Sequence, residues 1–206
     1  LKLVNGFIMD RYTFLPMGRR RAWVIGAQSV MIAWLIIAAL LNPAVSDVAI
    51  LGAIGFTVNF ATTFQDVAVD GLAVDIMTED ERARGSGMMF GGQSIGVAAA
   101  TAMCGVVLED YGAPTAFLIV AAIIALLSLF IAGVRERAGE RRLPWSAGRA
   151  NPRNLDIQIE AWWPLLKATF RALARPVSLL FLPVMFGRGI AYGAFAGGGP
   201  LLGANY

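Results

Sequence analysis

The chain is written as long apolar runs broken by short polar turns. Four runs of about twenty residues, over about 22–41, 48–69, 85–108 and 113–134, are followed by a fifth over about 177–204. At the rise of an α-helix, roughly twenty such residues cross the hydrocarbon core of a bilayer. The pattern therefore predicts an all-α polytopic membrane protein. Residues 1–9 read as the tail of a preceding helix, and the chain reads as a fragment. The polar exceptions inside the runs are few: the second carries Asp66 and Asp70, and the fifth carries Arg188.

Turns are set by local chemistry. Residues 42–47 (Asn-Pro-Ala-Val-Ser-Asp) separate the first two runs, and residues 109–114 (Glu-Asp-Tyr-Gly-Ala-Pro) separate the third and fourth. Thr78-Glu79-Asp80-Glu81 is a capping box that would satisfy free amides at the start of the third run. Small residues recur at spacing four, as Gly87/Gly91, Gly92/Gly96 and Gly189/Gly193/Gly197, which permits close packing of helices.

Residues 135–175 break the apolar rhythm with nine basic residues, three prolines and the pair Trp162-Trp163. Positions 155–175 alternate apolar and charged residues, with tryptophans apt for the headgroup level. They are expected to form an interfacial amphipathic helix. The organisation expected is a helix bundle over 1–134, a linker over 135–175, and the first helix of a second bundle over 176–206.

Composition agrees with a bilayer as solvent: 57% of residues are hydrophobic and the mean hydropathy is +0.65. A single Cys104 within an apolar run excludes an internal disulfide and a cysteine-based metal site, and reads as a small buried hydrophobe. With no histidine present, proton chemistry near neutrality falls to carboxylates. Of the 17 Lys and Arg, 15 lie on one side of the predicted topology, and the two opposite turns carry none. The positive-inside rule makes the arginine-rich side cytoplasmic. That bias and contact with anionic lipid account for the net charge of +3 without nucleic-acid binding.

Asp66 and Asp70 stand four residues apart, so a helix places them on one face, in line with Thr63 and Asn59. Carboxylates inside a membrane span are costly and mark functional faces. The alternative is that both lie near a helix end and pair with Arg82 or Arg84. Near the N-terminus, Gly6, Asp10-Arg11 and Gly18-Arg19-Arg20-Arg21 have the makings of a latch. It combines an acid at a helix end, a glycine turn, and arginines able to pair with carboxylates of a neighbouring helix in one conformation. Simple anchoring by positive charge is the other reading. Lys2 could snorkel, and Arg188 could sit in a static ion pair near mid-membrane.

The N-terminal motif resembles the loop between the second and third helices of the major facilitator superfamily, G-x-x-x-D-R-x-G-R-R, with five extra residues before Gly18. That longer spacing is similar to the branch holding muropeptide permeases and acetyl-CoA transporters. Lys2 to Asp10 resembles its K-x-L-W-A-P-x-x-D pattern, without the Trp and Pro. Thr63-Phe-Gln65-Asp66-Val-Ala-Val-Asp70-Gly71 resembles its T-Q-D-I-A-V-D-G, with Phe64 inserted. The resemblance covers nearly the whole chain and implies about half of a twelve-helix carrier, from the end of helix 2 to helix 7.

What it implies is a secondary transporter of the bacterial inner membrane. Its partners are the bilayer, a polar or anionic small-molecule solute and a coupling proton or Na⁺, with no cofactor, metal or catalytic residue. Asp66 or Asp70 would couple. Lys2 and Arg188 would hold an anionic solute, and Asn59, Gln65 and Gln93 would supply neutral hydrogen bonds. Arg188 is not followed by the acid that the branch tends to carry there. A non-transporting scaffold or assembly factor of the same fold is the alternative. A Mg²⁺-dependent membrane transferase is suggested by Asp66, Asp70 and Asp75 but fails the diphosphate-binding aspartate spacings.

Overall fold

The computed structural model describes residues 2–156 and 162–181, and beyond them only 183, 184, 187 and 190. The chain divides into two compact units, Leu1–Gln158 and Ile159–Tyr206.

The first unit is built on α1 (Lys2–Arg11), α2 (Arg21–Leu41), α3 (Val48–Ile76), α4 (Glu79–Gly133) and the short α5 (Pro152–Asp156). α2, α3 and α4 are long and apolar enough to cross a membrane. α2 is central: α3 and α4 both pack against it and hardly touch each other. α2 ends at Asn42, in the left-handed conformation at φ 42°, ψ 56°, where Asn is well tolerated and the following Pro43 prevents continuation. The turn closes when Asp47 Oδ2 accepts from the Ala44 N–H at 2.9 Å. The capping box forms as expected, with Glu81 Oε2 accepting from the Thr78 N–H at 3.0 Å.

The third and fourth apolar runs are the two arms of α4. Its backbone leaves the helix at Gly112 (φ 79°, ψ 173°), a conformation that glycine reaches without a Cβ clash, and Pro114 follows two residues on. Cys104 and Leu108 of the first arm share a cleft with Ala113, Ala116, Phe117 and Val120 of the second and with Leu35 of α2. The second arm runs back antiparallel to α2. Ser128 Oγ donates to Gln28 Oε1 at 2.7 Å, and Arg21 Nε donates to the Ile131 carbonyl at 2.9 Å.

The core sits at one end of this bundle. Met9, Val24 and Ala68 are its buried centre, flanked by Trp23, Phe64, Val67, Val69 and Ile131, with Trp23 stacked on Phe64 at 5.5 Å between centroids. Farther along, Met31, Leu35 and Ala38 of α2, Ile54 and Ala61 of α3 and Ala121 of α4 are also buried, while most of the other apolar surface faces outward. Only 11% of the most apolar window of α3 and 6% of that of α4 is buried within the described structure, which leaves wide apolar faces for a bilayer or further helices to cover. Nothing lies within 4 Å of a Cβ built on Gly87, Gly91, Gly92 or Gly96 among the described residues, so this face of α4 is open. Gly189, Gly193 and Gly197 lie outside the described residues.

In the second unit, α6 (Trp162–Leu173) is amphipathic, with Trp162, Trp163 and Phe170 exposed beside Lys167 and Arg171. A further helical stretch covers 176–181.

Candidate functional site

Two polar constellations stand out in the first unit. The first joins α1, the start of α2 and the end of α3. Asp10 Oδ1 accepts from Arg19 Nη2 at 2.9 Å and from Arg20 Nη2 at 2.7 Å, and Asp75 Oδ2 lies 3.4 Å from Arg20 Nε and 3.8 Å from Arg19 Nη1. The arginine side chains are 8% and 10% exposed and the aspartates 21% and 19%. These pairs are therefore partly desolvated and stronger than surface ion pairs. Arg20 reaches Asp75 by crossing Gly71, where a Cβ would stand 2.8 Å from its Nε.

A carboxylate from the end of α4 completes the cluster. Glu136 Oε1 accepts from the Arg19 N–H, and Oε2 from the Arg20 and Arg21 N–H groups, all at 3.0 Å. It meets the unsatisfied amides and the positive dipole end of α2 together. Gly18, at φ 101°, makes room: a Cβ there would lie 2.5 Å from Glu136 Oε2. Arg21 returns the connection. Its five N–H donors go to the carbonyls of Ile131, Ala132, Met17, Arg141 and Arg142, so one guanidinium satisfies free carbonyls at the end of α4. The Arg141 N–H also donates to the Pro16 carbonyl at 2.7 Å.

Farther along, Glu140 is fully buried, accepting from the Arg137 N–H at 2.9 Å and from Asn154 Nδ2 at 2.6 Å. Burial raises its carboxyl above the ordinary 4.5, the Arg137 hydrogen bond works against that, and the nearby Glu136 charge adds to it.

The second constellation is a cleft of about 300 Å³ between α3 and the first arm of α4, lined by Gln65, Asp66, Val69, Asp70, Ser86, Met89, Phe90 and Gln93. Spacings of three and four on both helices bring these side chains to facing stripes. Asp66 is half-buried and Asp70 exposed. By helical rise Asp70 lies ~9 Å, and Asp66 ~15 Å, from the end of α3 at Ile76. The buried Gln65 Oε1 has no hydrogen-bond partner among the described residues.

A model of the Major Facilitator Superfamily matches residues 1–206, the whole chain. The chain belongs to that superfamily. Among curated proteins, the anhydromuropeptide permease of Escherichia coli (strain K12) is 27% identical over 90 residues, which are 44% of this chain and 18% of the relative. The anhydromuropeptide permease of Escherichia coli O157:H7 matches to the same extent. The chain thus spans less than a fifth of the length of the curated relatives it matches. No solved structure matches it.

For this facilitator chain the structure gathers Gln65, Asp66, Asp70 and Gln93 into one cleft, and Asp10, Arg19 and Arg20 into one cluster. It separates others. Asn59 shares the helix but not the cleft, its Nδ2 donating instead to the Gly55 carbonyl at 2.8 Å. Thr63 Oγ1 accepts from the buried Asn5 Nδ2 at 2.6 Å, tying α3 to α1. Arg11 leaves the cluster, its guanidinium standing 5.5 Å from the Tyr12 ring centroid. Gly6 lets α1 approach α3, a Cβ there meeting Val67 at 3.9 Å. Arg82 Nη2 donates to the Val74 carbonyl at 3.2 Å, near the end of α3. The side chain of Lys2, and Arg188 entirely, lie outside the described residues.

Sequence reasoning gave no latch role to Asp75 or Glu136. Asp75 ends the same acidic stretch as Asp66 and Asp70, and Glu136 interrupts a run of arginines just past a span. A carboxylate flanked by Arg135 and Arg137 was the available signal.

Proposed function

We propose that this chain is part of a secondary active transporter that moves a polar or anionic solute by alternating access, coupled to protons. The observation that carries the reading is the cleft of Asp66, Asp70, Gln65 and Gln93 within membrane-crossing helices. The buried Gln65 Oε1 there, without a hydrogen-bond partner among the described residues, calls for a donor that a protonated carboxyl or a solute would supply, and carboxylates within a membrane span mark a functional face. In this reading the bundle of 1–134 is joined through the cytoplasmic linker 135–175 to a second bundle beginning at 176–206. Asp70 or Asp66 takes up and releases the proton, while Lys2 and Arg188 hold the solute's negative charge. The Asp10–Arg19–Arg20 cluster closes the cytoplasmic end in one conformation. The arginine-rich end faces the cytoplasm, by the charge bias of the loops, in a bacterial inner membrane.

The resemblance to muropeptide permeases makes anhydromuropeptides the first solute to test, with acetyl-CoA and simple sugars beside them. Vesicles holding the full-length protein should accumulate one of them in a protonophore-sensitive way, and Asp70→Asn should abolish the gradient-driven part. Uptake that is unchanged in Asp70→Asn would remove Asp70 from coupling, and uptake indifferent to the protonophore would remove proton coupling altogether.

A further inference from the structure

At the arginine-rich end of the first unit, α3 and the last turns of α4 lie on either side of α2 with a slot of about 240 Å³ between them. Val24 of α2, Val69, Leu72 and Ile76 of α3, and Phe130, Ile131 and Val134 of α4 line it. The only polar lining is at one end, from Arg21, Arg135 and Glu136. Two of these are spent: Arg21 on carbonyls and Glu136 on the amides of α2. Arg135 is exposed and makes no hydrogen bond or ion pair among the described residues. Water finds no partners along the apolar walls, so the slot calls for an apolar chain rather than solvent.

Charge and aromatic placement specify the other end of that chain. Arg135 lines the slot itself and Arg21 Nη2 donates to the Arg142 carbonyl, so two exposed arginines stand near the mouth. Just after Arg142, Ser146 Oγ accepts from the Arg142 and Leu143 N–H groups at 2.9 and 3.0 Å and donates to the Leu143 carbonyl at 2.9 Å. This fixes a tight turn that presents Trp145 at 81% exposure. Tryptophan beside arginine at the end of membrane-crossing helices is the chemistry of the headgroup level.

We propose that the slot between α2, α3 and the end of α4 is a binding site for an anionic phospholipid. One acyl chain lies against Val24, Leu72 and Phe130, and the headgroup phosphate sits at Arg135 and Arg142. The proposal needs the membrane embedding of these helices and not transport. Its charge complementarity selects lipid over the other conceivable occupant, a helix from elsewhere in the full-length protein, which would leave both arginines without a counter-charge.

The test is native mass spectrometry of the full-length protein titrated with phosphatidylglycerol or with phosphatidylcholine of identical chains. The expected result is a preference for phosphatidylglycerol that falls about five-fold in Arg135→Gln, the factor one arginine contributes near an anionic surface. Near-parity is expected in Arg135→Gln/Arg142→Gln. Leu72→Trp, which fills the slot, should weaken both lipids. Because Arg135 makes no bond within the unit, Arg135→Gln should leave the thermal unfolding temperature unchanged. Equal affinity for the two lipids in the unaltered protein overturns the proposal. A preference that survives the double substitution, or binding indifferent to Leu72→Trp, places the lipid elsewhere or shows the slot covered by another helix, and overturns it too.

Discussion

Single atoms decide how the charged cluster is built. Asp10 Oδ1 serves both Arg19 and Arg20 at normal hydrogen-bond lengths, whereas the Asp75 contacts are 3.4 and 3.8 Å. Attraction falls with distance, and a charge-assisted bond needs good geometry, so Asp10 is the stronger partner. Asp10→Asn is expected to cost about 1–3 kcal/mol, between the ranges for exposed and buried pairs, and Asp75→Asn less than half of that. Thermal unfolding of the purified variants ranks them, and a larger loss in Asp75→Asn would reverse this assignment. Gly18 is a sharper case. Alanine there would both adopt a positive φ and strike the Glu136 carboxylate. Gly18→Ala is expected to destabilise by about 1–3 kcal/mol, the strain range for such backbone. An unchanged unfolding temperature would show that the turn relaxes freely.

Helix ends carry the connection between the first and last membrane helices of the unit. Glu136 sits on the amides of α2 while Arg21 sits on the carbonyls of α4, a reciprocal cap that neither helix makes for itself. The adjoining segment adds a pH dependence. Glu140 has a folded-state carboxyl raised by burial. Its stabilising contribution is therefore fully present below the unfolded value near 4.5 and is lost as pH rises through the raised folded value. The stability of the unaltered protein relative to Glu140→Gln should fall as pH is raised from about 4 toward neutrality. A flat difference, read by thermal unfolding across that range, would show no such shift.

At this scale the sequence was informative where chemistry is local. The capping box at Thr78, the turn at Gly112-Ala-Pro114 and the lengths of the apolar runs were all legible, because each depends on neighbours in the chain. Glu136 with α2 was not, since the partners are more than a hundred residues apart and only the fold brings them together. Asn59 shows the same limit: helical spacing puts it in line with the acids, and only the structure shows its Nδ2 donating to the Gly55 carbonyl.

At the scale of the whole molecule, the cleft and the cluster lie on the same helix, α3, with Asp66 and Asp70 in the cleft and Asp75 in the cluster. In the proposed carrier, closing the arginine-rich end and shaping the cleft would be joined through this one helix. In the proposed alternating cycle, the conformer seen here has that end held shut by Asp10, Arg19, Arg20 and Asp75. Loosening the cluster by about 1–3 kcal/mol shifts a two-state equilibrium some 5- to 150-fold toward the state open at that end. Ser86 reports on it, because it lines the cleft about two turns from the start of α4. In a Cys104→Ala background, Ser86→Cys in the full-length protein should react slowly with a membrane-impermeant maleimide applied from the arginine-rich side. Adding Asp10→Asn should speed that reaction several-fold while slowing it from the opposite side. A rate that changes on neither side would mean the cluster braces the fold without gating the cleft, and a rise on both sides would mean the helices have simply come apart.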